Sequence, residues 1–247
     1  RTTDNYRRFR NTLRYLLGAL DGLDASEKLG YADMPELEKW VLYRLASIDV
    51  TIREMTETYD FHGIFSELHQ FCNSDLSAFY FEIRKDTLYC DNPDATARRA
   101  CRTVMDEVFN RLTAWLAPIL CFTAEEAWQS RHVDINQSVH LRSYDPVPAD
   151  WHNDDIAVKW AQIRKARQVV MSALETARND GKIGASLQAT PMVYTSADMQ
   201  AASAGQDAAS LFINSTIANI LLAASNLSFL LTPLISNGIA ILSNTDL

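Results

Sequence analysis

The sequence predicts a mainly α protein, in which an antiparallel helical bundle is followed by a smaller α/β module. Apolar residues recur every three or four positions in four successive stretches before residue 118, which is the spacing of amphipathic helices. The connections between these stretches are short, which favours antiparallel neighbours. Beyond residue 182, short apolar runs are broken by proline and polar residues, as in strands. We therefore place the bundle at 1–145, and a long helix with the α/β module at 146–247.

The first helix is predicted over residues 3–23, and its apolar stripe comprises Tyr6, Phe9, Leu13, Leu16, Leu17 and Leu20. Arg7, Arg10 and Arg14 recur three and four residues apart, so they project from one flank beside that stripe. Residues 1–20 hold five arginines and one acid, which gives a local basic surface in a protein of net charge −8. An ordinary solvated face is the alternative interpretation of such a charge run.

Three further helices follow, and each has an aspartate at its predicted start. Asp33 and Pro35 begin the second helix, because an aspartate cap and an early proline both favour a helix start. Asp60 caps the third helix, which continues to Ile83, and a turn that ends at Asp94 caps the fourth. The apolar stripes of these helices complete the core of the bundle.

A proline corner closes the bundle. Pro118 cannot continue a helix, so the fourth helix ends near Trp115. Thr123 and Glu126 have the spacing of a capping box, which starts a new helix. The apolar residues between break and cap are expected to be covered by other elements, and they are Ile119, Leu120 and Phe122.

The chain beyond the corner is less regular. Residues 138–144 alternate in polarity and favour an extended connector, and a long helix then runs from about Asp154 to Asn179 and ends at Gly181. This helix is a second basic element through Lys159, Arg164, Lys165 and Arg167. The module comprises strands in 183–194, a helix in 210–224 and a further strand or turn in 227–241. The uncharged run before Asp246 is interrupted too often by Asn, Ser and Pro to span a membrane.

Composition argues against several kinds of site. None of the eight glycines falls in a phosphate-binding pattern, so no cofactor site is expected. Cys72, Cys90, Cys101 and Cys121 lack the spacing of zinc ligands, and we interpret them as reduced core thiols of a cytoplasmic protein. The pair of histidines at 62 and 69 lacks the His-Glu-x-x-His order of helical zinc sites, so no metal is expected. All 23 Lys and Arg precede residue 183, so a phosphate-binding surface must lie before it.

Several short sequence motifs resemble those of a known protein family. The bundle contains Arg10-Asn-Thr-Leu-Arg-Tyr-Leu-Leu-Gly18, Phe71-Cys72 with Leu76-Ser-Ala-Phe-Tyr80, Lys85-Asp-Thr-Leu-Tyr89, Leu116-Ala-Pro-Ile-Leu120 and Ala124-Glu-Glu-Ala-Trp128. With Arg164-Lys-Ala-Arg167 and Ile183-Gly-Ala-Ser-Leu187, they resemble bacterial isoleucyl-tRNA synthetases in the C-terminal anticodon-binding region, over most of residues 4–190. The corner is shared with valyl and leucyl relatives, whereas the Phe-Tyr and Lys-Asp-x-Leu-Tyr pieces point to the isoleucine enzymes. Departures from the family pattern stand at Cys121, Thr87 and Gln188.

The resemblance implies a bundle of the class I synthetase anticodon-binding type, followed by a junction module. Such a bundle recognises the anticodon stem-loop of tRNA-Ile and orients the acceptor end toward a catalytic domain upstream in the same chain. Aromatic and guanidinium planes read unstacked loop bases, while neighbouring cations hold phosphates. The tRNA-binding residues implied are Tyr6, Arg7, Arg10, Arg14, Arg84 and Lys85.

The resemblance also implies which functions belong to other parts of the parent enzyme, an isoleucine-tRNA ligase. The family's two ATP-site signatures, His-Ile-Gly-His and Lys-Met-Ser-Lys-Ser, are missing from this sequence, as are the editing domain and the cysteine pairs of the C-terminal zinc module. ATP and Mg²⁺ are therefore cofactors of the parent, and this polypeptide, expected to be a monomer, is expected to have no catalytic residue and no activity alone.

Two alternatives to this function stay open. The chain is either the equivalent module of a valyl or leucyl synthetase, or a helical protein-interaction scaffold that binds no RNA. Salt dependence separates RNA binding from an apolar groove, and competition among anticodon stem-loops separates the synthetases.

Overall fold

A computed structural model describes residues 2–132 and 136–184, and the backbone of two short strands at 192–193 and 241–242. The chain divides into two compact units, 1–156 and 157–247. The domain boundary that we place after residue 145 stays a prediction.

The first unit is helical, which confirms the mainly α fold. Its α-helices are α1 (Thr2–Ala19), α2 (Glu36–Glu57), α3 (Phe61–Gln70), α4 (Phe81–Cys90), α5 (Thr96–Leu116) and α6 (Cys121–Arg131). A π-helical segment, Phe71–Tyr80, joins α3 to α4 without a break in the helix. Short 3₁₀ turns occupy parts of the connections, at Ala25–Glu27, Tyr31–Asp33, Val139–Leu141 and Ala149–Trp151.

Contacts along α1 fix the direction of its neighbours. The ring centroid of Phe9 lies 5.4 Å from that of Phe65 on α3, and further along α1 the ring of Tyr15 stacks on Phe81 of α4, 4.4 Å away. Helix α1 therefore runs parallel to the continuous helix from α3 to α4. Arg102 near the start of α5 donates to the carbonyl of Ala19 at the end of α1 (Nε to O, 3.2 Å), so α5 runs antiparallel to α1.

The core between these helices consists of the predicted apolar stripes. Its fully buried side chains include Phe9, Leu16, Leu45, Ile48, Phe71, Leu76, Phe109, Leu112 and Trp115. Removing this much aromatic and aliphatic surface from water is the main stabilising contribution to such a fold. The sequence pattern therefore placed most of the interior faces correctly, but Tyr6, which we assigned to the apolar stripe of α1, is exposed, so that assignment is wrong.

The start of α3 confirms the predicted Asp60 cap. Its Oδ1 accepts the Gly63 N–H at 2.9 Å, one of the N–H groups that a helix start leaves unpaired. A Cβ atom on Gly63 would collide with the Asp60 carboxylate and lie 2.9 Å from Met55 Sδ, so a larger residue would require these side chains to shift.

The other two predicted aspartate caps are wrong. Asp33 closes the preceding 3₁₀ turn through its own N–H, which bonds to Gly30 O (3.1 Å), and α2 begins after Pro35 with no side-chain cap. Ahead of α5, Asn92 Oδ1 accepts the N–H of Asp94 (2.9 Å), so Asn92 organises the turn and the helix begins at Thr96. In both cases local turn hydrogen bonds compete with the cap for the same residues.

The proline corner has the predicted position but different details. Helix α5 ends at Leu116 and α6 already begins at Cys121, with Leu120 as an N-cap that makes no side-chain bond. Thr123 and Glu126 therefore lie inside the helix and form no capping box, which corrects our prediction. The expected burial is also wrong for Phe122, whose exposed fraction is 92%. The predicted extended connector at 138–144 contains a 3₁₀ turn, Val139–Leu141, capped by Ser138.

The second unit contains most of α7 (Asp154–Asn179), which matches the predicted long helix. Gly181 follows with φ +72°, and the N–H groups of Gly181 and Lys182 bond back to Arg178 O and Ala177 O, which confirms the glycine stop. The short strands Met192–Val193 and Ile241–Leu242 pair antiparallel. The helix predicted at 210–224 lies outside the described residues, so the α/β module stays a prediction. Each helix within 2–132 and 136–184 is too short or too polar to cross a lipid bilayer.

Candidate nucleic-acid interface

The starts of α1 and α6 lie side by side and are joined by two side-chain contacts. The Tyr6 hydroxyl lies 3.1 Å from the Thr123 hydroxyl oxygen, and either group can be the donor. One turn further, Arg10 donates from Nη1 and Nη2 to the two carboxylate oxygens of Glu126, at 3.0 and 3.4 Å. We call the face formed here the α1/α6 surface, and its residues are Tyr6, Arg7, Arg10, Arg14, Phe122, Thr123 and Glu126.

Helical periodicity explains why these pairs match. Tyr6 and Arg10 are four residues apart on α1, while Thr123 and Glu126 are three apart on α6, so each pair lies on one face of its helix. Because α1 and α6 run parallel, the face of α1 that carries Tyr6 and Arg10 meets the face of α6 that carries Thr123 and Glu126 at both contacts. These side chains remain accessible, since 52% of the Arg10 side chain and 62% of the Glu126 side chain are exposed.

Charge and hydrogen bonding keep the Arg10–Glu126 pair ionised. The hydrogen bond from Arg10 lowers the pKa of the Glu126 carboxyl, and the hydrogen bond to Glu126 raises the pKa of the guanidinium. The Tyr6 pKa is lowered, first by its hydrogen bond with Thr123 and then by that with Arg10. The surface thus presents a phenol and a guanidinium, each already oriented by a partner on α6.

The other arginines of α1 differ in their contacts. Arg7 Nη1 lies 3.8 Å from Asp4 Oδ1, an exposed ion pair too long for a hydrogen bond. Arg14 is exposed, and no residue in the described part of the chain forms an ion pair or hydrogen bond with it. Arg8 turns the other way and donates to Asn73 of the π segment. Arg7 and Arg14 therefore keep N–H donors directed to solvent beside Arg10.

Arg84 and Lys85 lie elsewhere in the bundle. Arg84 donates to both oxygens of the fully buried Glu38 (Nε to Oε1 and Nη2 to Oε2, each 2.7 Å), and only 16% of its side chain is exposed. Lys85 pairs with Glu82 one turn away on α4, at 3.2 Å. Within the described part of the chain these pairs are formed with Glu38 and Glu82, and the structure shows no contact of Arg84 or Lys85 with Arg7, Arg10 or Arg14. A role in RNA contact stays a prediction for both residues.

Sequence reasoning missed Phe122, Thr123 and Glu126 as parts of this surface. The Thr-x-x-Glu spacing was assigned to a cap, although the same spacing places both side chains on one helix face. Phe122 was expected inside because large apolar residues usually are. It lies four residues before Glu126, so the two residues are neighbours on the same side of α6. The signal that could have revealed this surface is the match between two spacings: Thr123 and Glu126 are one turn apart on α6, as Tyr6 and Arg10 are on α1.

Possible metal ligands and thiols do not form a second site. No group of three or more His, Cys, Asp or Glu side chains within 2–132 and 136–184 is arranged to hold a metal ion. The ring of His69 packs against Phe9 and Phe65 in the bundle, with centroid distances of 5.9 and 6.2 Å. Cys72 and Cys101 are buried as predicted, but Cys90 and Cys121 are exposed, which corrects our assignment of all four to the core.

The second basic element is smaller than the sequence suggested. Arg167 on α7 is buried, with 5% of its surface exposed, so its charge is not part of an open basic face. Lys165 on the same helix is exposed. Among the described helices, α1 therefore carries the more accessible row of arginines.

The chain is similar in sequence to known proteins. The family model for the anticodon-binding domain of tRNA ligase matches residues 38–193. The isoleucine–tRNA ligase of Agrobacterium fabrum is 49% identical over 215 residues, which cover 87% of this chain and 22% of that protein. The isoleucine–tRNA ligases of Gluconobacter oxydans and Caulobacter vibrioides are 47% and 46% identical, over 85% and 87% of this chain. The chain spans about a fifth of the length of these curated relatives.

Proposed function

Because the chain belongs to the family of anticodon-binding domains of tRNA ligases, we propose that its bundle binds tRNA and that the α1/α6 surface contacts the anticodon loop. In this proposal Tyr6, Phe122 and the Arg10 guanidinium provide planar groups for unstacked bases. Arg7 and Arg14 hold neighbouring phosphates. Single-stranded loops are read in this way because their bases can leave the stack and meet aromatic or guanidinium planes.

One observation carries this proposal, namely the pairing of Tyr6 and Arg10 with α6 beside an exposed ring. A phosphate-only surface needs cations but no ordered aromatic groups. Here a phenol and a guanidinium are oriented by Thr123 and Glu126, at 3.1 and 3.0 Å, and Phe122, one turn before Glu126 on α6, is 92% exposed. This combination favours contact with bases over general attraction to a polyanion.

The amino acid served by the parent protein is also part of the proposal. Identities of 46–49% to isoleucine–tRNA ligases support tRNA-Ile as the cognate partner over the valyl and leucyl alternatives. The parent reaction would be ATP-dependent aminoacylation, with ATP and Mg²⁺ bound by a catalytic domain upstream and zinc by a C-terminal module. We propose a cytoplasmic, monomeric protein for this role.

Competition among stem-loops tests this function. We expect a labelled stem-loop with the isoleucine anticodon GAU to be displaced by its own unlabelled form at lower concentrations than by stem-loops with valine or leucine anticodons. Equal displacement by all three would contradict the isoleucine assignment, whereas a protein that binds no stem-loop even at low salt would favour a protein-interaction scaffold.

A further inference from the structure

The carboxylate of Glu126 lies where an approaching RNA would meet it. It accepts two hydrogen bonds from Arg10, at 3.0 and 3.4 Å, and more than half of each side chain is exposed. A negative group is unexpected on a surface that binds a polyanion, because it repels phosphate. Its position opposite the arginine that we assign to base contact therefore needs an explanation.

We propose that Glu126 is a specificity-determining residue that holds Arg10 in position and keeps RNA phosphates away from it, so that Arg10 contacts a base. This inference rests on the proposed function. Glu126 acts through Arg10 and through its own charge, and it is thus a positioning residue. Thr123 holds Tyr6 in position in the same way, because the two hydroxyl oxygens lie 3.1 Å apart.

The geometry explains how the pair discriminates. A guanidinium has five N–H donors in a planar fork; the contact with Glu126 uses two of them, and Arg10 also hydrogen-bonds the Tyr6 hydroxyl. Because 52% of the Arg10 side chain is exposed, a neutral base edge can accept from the remaining donors without electrostatic penalty. A phosphate at the same place would approach the Glu126 carboxylate as well, and like charges repel.

Without its partner, Arg10 would behave differently. A free arginine side chain is flexible and binds phosphate strongly, in contacts that carry no sequence information. Arg7 and Arg14 already provide such contacts on the same helix. Glu126 thus separates the roles of chemically identical side chains that lie within two turns of α1.

Substitution of Glu126 by Gln tests this inference, because it removes the charge and keeps the shape. We expect E126Q to bind stem-loops of every sequence more tightly at low salt. The slope of log affinity against log salt should steepen by about 0.7–1, the value of one added phosphate contact. The preference for the isoleucine stem-loop over a variant with one changed anticodon base should fall, on the order of tenfold.

Two further variants separate charge from position. Glu126→Asp keeps the charge on a shorter side chain that cannot hold Arg10 equally well, so the salt slope should stay at the wild-type value while discrimination falls. Asp4→Asn removes one negative charge beside Arg7, 3.8 Å away on the same helix. This control should raise the affinity for all stem-loops and leave discrimination unchanged.

The outcomes distinguish this inference from the proposed function. If wild-type protein binds the isoleucine stem-loop with a salt-dependent preference but E126Q changes neither slope nor discrimination, Glu126 is not a specificity residue and the proposed function stands. A uniform loss of affinity in E126Q would also overturn the inference. If wild-type protein has no preference among stem-loops, the proposed function itself fails.

Discussion

The arginines of α1 differ in what their guanidinium groups contact, although the sequence presents them as one row. Arg10 is fixed by Glu126 at 3.0 Å, Arg7 is near Asp4 at 3.8 Å, and Arg14 has no partner among the residues that the structure describes. An oriented guanidinium suits a base contact, whereas a mobile one suits phosphate. Different functional consequences should follow from the same substitution at each position.

Replacing Arg7 or Arg14 with Gln removes about one phosphate contact. We expect affinity to fall for every RNA alike and the salt slope to shrink by about one unit. Arg10→Gln should instead reduce the preference for the isoleucine anticodon, on the order of tenfold. Fluorescence titration of stem-loops at several salt concentrations measures both effects. A uniform effect of all three substitutions would contradict the separation of roles.

Phe122 offers a test that involves no charge. Phe122→Ala should lower stem-loop affinity on the order of tenfold, because one stacked base loses its platform, and it should leave the salt slope unchanged. Tyr89→Ala is the matched control, since Tyr89 is 68% exposed at the end of α4 and is not one of the residues of the α1/α6 surface. Equal effects of the two substitutions would show that the Phe122 ring has no special part in binding.

At the scale of secondary-structure elements, a buried ion pair joins α2 to α4. Glu38 is fully buried and accepts from Arg84 Nε and Nη2 and from the Tyr80 hydroxyl, at 2.7, 2.7 and 3.1 Å. Both oxygens of this carboxylate thus accept hydrogen bonds, Oε1 from two donors and Oε2 from one. Removing one partner of such a pair is costly because a buried charge is left without compensation.

Arg84→Ala should therefore destabilise the bundle by about 3–5 kcal/mol, as is typical when one partner of a buried ion pair is deleted. Lys85→Ala, on the exposed face of the same helix, should change the free energy of unfolding by less than about 0.5 kcal/mol. Urea denaturation of both variants measures this difference. Similar stability of the two variants would show that the Glu38 pair contributes little.

The cysteines report on the packing of the helices around the π segment. Burial raises the pKa of the Cys72 and Cys101 thiols to about 12 each, while Cys90 and Cys121 are exposed. A thiol reagent reacts with the thiolate, so at neutral pH Cys90 and Cys121 should react quickly and the other two only after denaturation. Mass spectrometry of partially labelled protein identifies the sites. Fast labelling of Cys72 or Cys101 in the native protein would contradict this packing.

Prediction from sequence succeeded for the helices and for most of their buried faces, since apolar periodicity reports on burial, with Tyr6 as the exception. Prediction failed where other hydrogen bonds compete with helix capping for the same side chain. Asp33 and Asp94 belong to turns, and Thr123 and Glu126 face α1, although each has the residue type and spacing of a cap. Which partner a polar side chain selects depends on helix register in three dimensions, and that is not visible in one sequence. The π segment likewise has the same apolar pattern as an α-helix.

At the scale of the whole molecule, local charge decides the interaction. The chain has a net charge of −8, which predicts weak general attraction to RNA. Among the residues that the structure describes, the row of arginines on α1 opposes this most openly, so binding should centre on that row and depend strongly on salt. The acidic remainder would then limit unspecific binding to other RNA.

The central claim is tested most directly by titrating wild-type protein and the triple variant R7Q/R10Q/R14Q across a range of salt concentrations. The quantity to compare is the preference of each protein for the GAU stem-loop. For wild-type protein we predict preferential binding with a steep salt dependence. For the triple variant we predict loss of that preference and a salt slope smaller by about two units, with a melting temperature within about 2 °C of wild type. A triple variant that binds the stem-loop as wild-type protein does would contradict the account, because the recognition surface would then lie elsewhere.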